Sequence, residues 1–161
     1  MTRSWIGVRL VGLVCVVASL LVIPRFALAQ SPEDEVLAAM NTWAATYASA
    51  TDPAPMLALY TPDAVFWGTS AREPFVGPDS FAPYFKLQFD NYTDRKVSFH
   101  NPQIRVYGGG MFATSTGTYE FNVTLPTKQR VQVENRYSFA LVKVDGRWLI
   151  AQHHSSAMPQ P

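Results

Sequence analysis

Apolar residues recur along this chain with two different periods. Val36, Met40, Trp43, Tyr47 and Ala50 follow one another at steps of four and three, the spacing that lines one face of a helix. Ser31-Pro32-Glu33-Asp34 stands just ahead of them. It offers a capping serine, a proline at the first helical position and acids at the positive end of the helix dipole. The pattern predicts a helix running to about Ala50. Asp52-Pro53 then starts a second, short helix through Tyr60, ended by Thr61-Pro62-Asp63, and Ala64-Val65-Phe66-Trp67 reads as a short strand. Residues 74–78 read as irregular. From Asp79 the helical spacing returns, with Phe81, Tyr84, Phe85 and Phe89 on the apolar side and Pro83 in the first turn, where its missing donor costs little.

Beyond residue 95 the period drops to two. Lys96 to Tyr107, Met111 to Leu125, Arg130 to Val144 and Arg147 to Ser155 each read as a strand. They are separated by Gly108-Gly109-Gly110, by Pro126-Thr127 and by the hairpin pair Asp145-Gly146. Helices first and a long antiparallel meander afterwards make an α+β domain, with a long N-terminal helix and two shorter ones on one face of a curved antiparallel sheet. A strongly twisted sheet capped in this way tends to form a cone with an apolar mouth.

The first 29 residues change the picture of where the domain begins. Arg3 and Arg9 precede an uncharged apolar run from Leu10 to Ile23, and Ala27-Leu28-Ala29 supplies a small-x-small cleavage pattern. This is the form of a secretory signal peptide. The run is shorter than the ~20 apolar residues a spanning helix needs. The expected organisation is a signal peptide over residues 1–29 and one domain over residues 30–161, located in a periplasm or secreted, with no membrane association after cleavage. Cys15, the only cysteine, lies in the leader, so disulfides, thiolate metal sites and a cysteine nucleophile are excluded from the remainder. Ten basic and twelve acidic residues remain, a net charge of −2. No nucleic-acid footprint results.

Candidate chemistry gathers in Arg147-Trp148-Leu149-Ile150-Ala151-Gln152-His153-His154-Ser155-Ser156. Strict strand alternation puts Trp148, Ile150, Gln152 and His154 on one face, and Leu149, Ala151, His153 and Ser155 on the other. The two histidines then diverge and cannot share a metal ion, so no metal site is expected. The serines lack the strained-turn context of a nucleophile. His154, on the face of bulky Trp148, is expected to look into the cone, either as a satisfied core histidine or as a group that exchanges a proton with a ligand. Arg136 sits mid-strand, where a charge needs a reason. It either pairs with a carboxylate such as Glu120 or Glu134 on a solvated face, or points inward and clamps a carboxylate. Asp63, between a turn and a strand, reads either as a cap or turn residue or as a catalytic base. Trp43, Tyr47, Phe66, Trp67, Tyr84, Tyr107 and Tyr119 are the candidate walls for a flat, partly polar organic ligand. No dinucleotide fingerprint is present, and no cofactor is expected.

The order of elements, with Leu59-Tyr60-Thr61-Pro62-Asp63-Ala64-Val65-Phe66-Trp67-Gly68, Asp145-Gly146-Arg147-Trp148-Leu149-Ile150 and His154-Ser155-Ser156-Ala157-Met158-Pro159, resembles the nuclear transport factor 2-like superfamily. That is the cone shared by SnoaL and the ketosteroid isomerases. The motifs are similar to the branch related to the association domain of calcium/calmodulin-dependent protein kinase II, whose bacterial members carry the SgcJ/EcaC label. The resemblance implies a cystatin-like cone, self-association, and a strand arginine lining a cavity for small carboxylates, with Arg136 and His154 at the matching positions. Three functions are therefore expected in competition. The first is a dimeric exported protein binding a small carboxylate or aromatic ligand at Arg136 and His154. The second is a cofactor-independent isomerase, hydratase or hydrolase using His154 or Asp63. The third is an oligomerisation domain with a filled core.

Overall fold

A computed structural model describes residues 30–160; the expected signal peptide lies outside the described residues. Helix α1 spans Pro32–Ser49. Its cap forms as the sequence predicts: the Ser31 hydroxyl accepts from the Asp34 amide at 3.1 Å and donates to the Asp34 carboxylate at 2.7 Å. Val36, Met40, Trp43, Ala44 and Tyr47 form its buried side. Helix α2, Ala54–Leu57, is much shorter than expected. Strand β1 begins at Tyr60 and runs to Trp67, through the Thr61-Pro62-Asp63 segment read as a helix stop. Pairing of Tyr60 with Ile150 overrides local propensity there. Pro62 is tolerated because it lies where the β1 register shifts, between Tyr60 and Val65.

Strand β2, Phe75–Val76, is a two-residue piece paired to β1. Helix α3, Pro78–Asn91, starts one residue early, which puts Pro83 inside the helix beyond its first turn. Strands β3 (Thr93–Tyr107), β4 (Phe112–Thr124), β5 (Arg130–Val144) and β6 (Arg147–Ala157) follow. The Asp145-Gly146 turn has φ of 49° and 76°, the doubly positive form that matches strand twist.

The sheet order is β2-β1-β6-β5-β4-β3. β3 to β6 form the antiparallel meander, but β1 joins β6 in parallel, so the sheet is mixed. The helices pack on one face. Between helices and sheet lies a dense aromatic core in which Trp43, Tyr47, Phe66, Phe81, Phe85, Tyr119 and Phe139 are almost fully buried. Outside the core, Lys143 bonds Glu35, and Trp148 donates to the same carboxylate at 3.1 Å, tying the start of α1 to the last hairpin.

Candidate functional site

A cavity of about 570 Å³ opens between α1, α3 and the inner face of the sheet, within the ~300–1,000 Å³ range of small-molecule sites. Trp43 and Tyr47 reach it from α1, Tyr84 and Gln88 from α3, and Phe66 from β1. Tyr119, Asn135, His153 and Ser155 reach it from β4, β5 and β6. The tip of the β4–β5 hairpin, with Leu125 and Pro126, lies at its rim. Among the described residues that line it, none is Asp, Glu, Lys or Arg.

One break in strand regularity decides which histidine belongs here. Along the β5–β6 ladder Leu141 pairs with Ile150, but Ala140 pairs with Gln152. Ala151 is the extra residue of a β-bulge, and a one-residue insertion exchanges the two faces beyond it. Trp148 and Ile150 are buried, and after the bulge it is His153 and Ser155 that are buried, while His154 turns outward beside Trp67. The expectation that His154 looks into the cone is therefore corrected.

His153 is 2 % exposed and wedged among aromatic rings, with the Phe139 ring centroid 4.4 Å away. Its Nδ1 lies 2.9 Å from the Tyr60 hydroxyl, which accepts a hydrogen bond from Trp43 Nε1 at 2.9 Å. No other acceptor partners the Tyr60 hydroxyl among the described residues, so Tyr60 donates to Nδ1. The imidazole proton therefore sits on Nε2, facing the Tyr119 hydroxyl at 3.3 Å. Ser155, buried beside His153 on the same face, bonds Thr69. Burial, reinforced by the adjacent His154, lowers the ionisation of His153 to about 3, so the ring is neutral at physiological pH. Burial likewise raises the Tyr47, Tyr60 and Tyr119 hydroxyls above their ordinary range, which keeps them as donors. Tyr47 donates to Gln88 Oε1 at 2.7 Å.

Of the residues singled out from sequence, the structure brings Trp43, Tyr47, Phe66, Tyr84 and Tyr119 together around the cavity. It does not bring the other five there. Arg136 is exposed, between Thr118 and Ser156 on the far face. Its strand neighbours Asn135 and Tyr137 point inward, so alternation sends the guanidinium out. Asp63 is exposed in β1. Trp67 and Tyr107 are 43 % and 51 % exposed, each on the side of its strand away from the helices. With His154, these make five residues expected at the site that the structure places elsewhere: none lines the cavity. Sequence reasoning missed Asn135 and Gln88, which sit at positions where polarity is ordinary, and it placed Ser155 with His153 on the face away from the cone. It also missed Gly68: a Cβ there would lie 2.5 Å from the Tyr84 ring. The glycine is what lets that ring lie against the end of β1. Among the described residues no group of three His, Cys, Asp or Glu side chains is placed to hold a metal ion.

Comparison with known proteins places this geometry. A Xanthomonas campestris protein assigned as a calcium/calmodulin dependent protein kinase II association domain is 32% identical, with a TM-score of 0.73 over 80% of this chain and 89% of that one. A nuclear transport factor 2-like superfamily protein of Salmonella enterica serovar Typhimurium is 19% identical, with a TM-score of 0.69 over 80% of this chain and 92% of that one. A Novosphingobium aromaticivorans protein assigned as a scytalone dehydratase is 16% identical, with a TM-score of 0.67 over 78% of this chain and 83% of that one. The latter two likenesses show the fold alone. No curated protein matches the chain. The family model of the SnoaL-like domain matches residues 36–161, and the chain belongs to that family, within the nuclear transport factor 2-like superfamily.

Proposed function

We propose that this is an exported protein that binds a small, flat organic ligand in the cone cavity and works as a homodimer. The observation that carries the binding reading is the cavity itself: aromatic walls, a few fixed polar groups and no charge. A scaffold whose only role was self-association would gain by filling that space, because a buried void forfeits dispersion contacts. Proton-transfer chemistry is less well supported. A neutral imidazole whose ionisation lies near 3 is a weak base at pH 7, and a general base works best with a pKa near the working pH. The other two groups considered for that work, His154 and Asp63, are exposed away from the cavity.

The test is a thermal shift with uncharged two-ring aromatics. A ligand at 100 times its Kd should stabilise the domain by about 2.7 kcal/mol. Val131→Trp, at the cavity wall, should abolish the shift while the domain stays folded. No stabilisation by any such compound would sink the binding reading.

Self-association is supported by the sheet face that no helix covers. Val65 and Trp67 on β1, and Tyr107, Phe112 and Val144 on β3 to β5, are each at least 36% exposed, and large apolar side chains spread over an open sheet face give a partner surface to cover. Export is supported by the leader pattern. Material recovered outside the cytoplasm should start at Gln30 by mass spectrometry and sediment as a dimer, and Trp67→Glu should sediment as a monomer. A chain that keeps its first 29 residues, or a monomeric parent, would remove the corresponding part of the proposal.

A further inference from the structure

The cavity wall contains one polar atom that the protein itself leaves without a partner. Asn135 is 5 % exposed on the inner face of β5, and its Oδ1 is buried with no hydrogen bond. A buried acceptor in this state is a cost to the folded chain, and nearly all such groups in proteins are paired. Asn135 stands directly across from Tyr119 in the ladder and diagonally from Ser155, beside the polar end of the cavity. The amide torsion is soft, so a small rotation presents the oxygen to anything that fills the space.

The surrounding charges limit what that can be. No lysine or arginine is among the described residues lining the cavity. Arg95 packs against Tyr47, with its guanidinium carbon 5.8 Å from that ring's centre, but its N–H groups are taken by the carbonyls of Tyr47, Ala50, Phe89 and Tyr92. Arg136 faces away. A carboxylate placed here would lose its water and gain no counter-charge. The groups that do face the cavity are neutral donors and acceptors on aromatic walls.

Resting on the binding reading above, we infer that the ligand is an uncharged aromatic molecule bearing an O–H or N–H donor, and that Asn135 Oδ1 accepts it. The inference replaces the small carboxylate expected from the resemblance. It makes Asn135, a residue with no distinguishing sequence context, the specificity determinant.

A matched series tests it: 2-naphthol, its methyl ether 2-methoxynaphthalene, and 2-naphthoate, measured at pH 7 by calorimetry and by quenching of tryptophan fluorescence. The expected order is 2-naphthol about tenfold tighter than the ether, the difference one neutral hydrogen bond makes, with 2-naphthoate weakest. Asn135→Leu should bring naphthol and ether to equal affinity while the melting temperature holds or rises, because the orphaned oxygen is gone. Asn135→Ala provides the same comparison should leucine not fit. Three results would overturn the inference while leaving a binding protein: naphthoate binding best, ether equal to naphthol in the parent, or the naphthol preference surviving in both variants. Failure of all three compounds to bind would instead strike the binding reading itself.

Discussion

Arg95→Ala is expected to lower the unfolding free energy by about 3 kcal/mol, and the melting temperature by roughly 10 °C, because one side chain closes the ends of two helices. The last turn of a helix leaves carbonyls without partners and carries the negative end of the dipole. Arg95, in β3, donates through Nε to the Tyr47 carbonyl at 3.0 Å and also bonds the Ala50 carbonyl, both at the end of α1. The same guanidinium donates to the Tyr92 carbonyl at 2.7 Å and to that of Phe89 at 3.4 Å, at the end of α3. Neither helix has a basic residue in its own last turn. The guanidinium also lies 4.5 Å from the centre of the Phe89 ring, adding a cation–π contact. Hydrogen bonds to charged groups are worth ~1.5–3 kcal/mol each; the partial exposure of Arg95 and the freedom of the freed carbonyls to bond water hold the total well below the sum of the four. Arg95→Lys should recover less than half of the loss, because an ammonium lacks the planar fork that reaches both helix ends. Urea denaturation of the two variants measures this. An Arg95→Ala midpoint within error of the parent would show that the clamp is ornamental.

Acidification should destabilise the domain through His153. The unfolded chain takes up this proton near 6.5, the folded chain only near 3. Because the folded-state value is depressed, the unfolded state binds more protons throughout that interval. The contribution is complete above pH 6.5 and is lost as pH falls toward 3. At pH 5.0 the linkage amounts to about 2 kcal/mol, at 1.36 kcal/mol per unit. Denaturation at pH 7.5 and 5.0 checks it. His153→Gln should be less stable than the parent at pH 7.5, having broken the Tyr60 and Tyr119 bonds, yet should lose about 2 kcal/mol less than the parent on going to pH 5.0. Equal acid losses in the two proteins would mean that His153 titrates as freely folded as unfolded.

Much of the architecture can be read from the chain because it rests on local chemistry. The cap at Ser31, the four-and-three spacing from Val36 to Tyr47, and the Asp145-Gly146 turn each act within a few residues, and each is where the pattern predicts. So is the division into a helical first half and a stranded second half. Less legible was anything set by pairing across long separations. Tyr60 to Asp63 reads as the end of a helix, yet joins β1 because Ile150 is there to pair with Tyr60. The aromatic walls from Trp43 to Tyr119 were legible because large rings belong inside wherever the fold closes. The polar members of the site were not, since nothing near Asn135 or Gln88 in sequence marks them as facing a void.

The sequence by itself determined the element types, the aromatic core and the presence of a histidine pair on the last strand. Which histidine enters the cone was settled by the bulge at Ala151, where β6 pairs with β5. A strand's side-chain period is two, so a single unpaired residue turns every later side chain over. That insertion is a property of two strands in register, and no reading of β6 alone contains it.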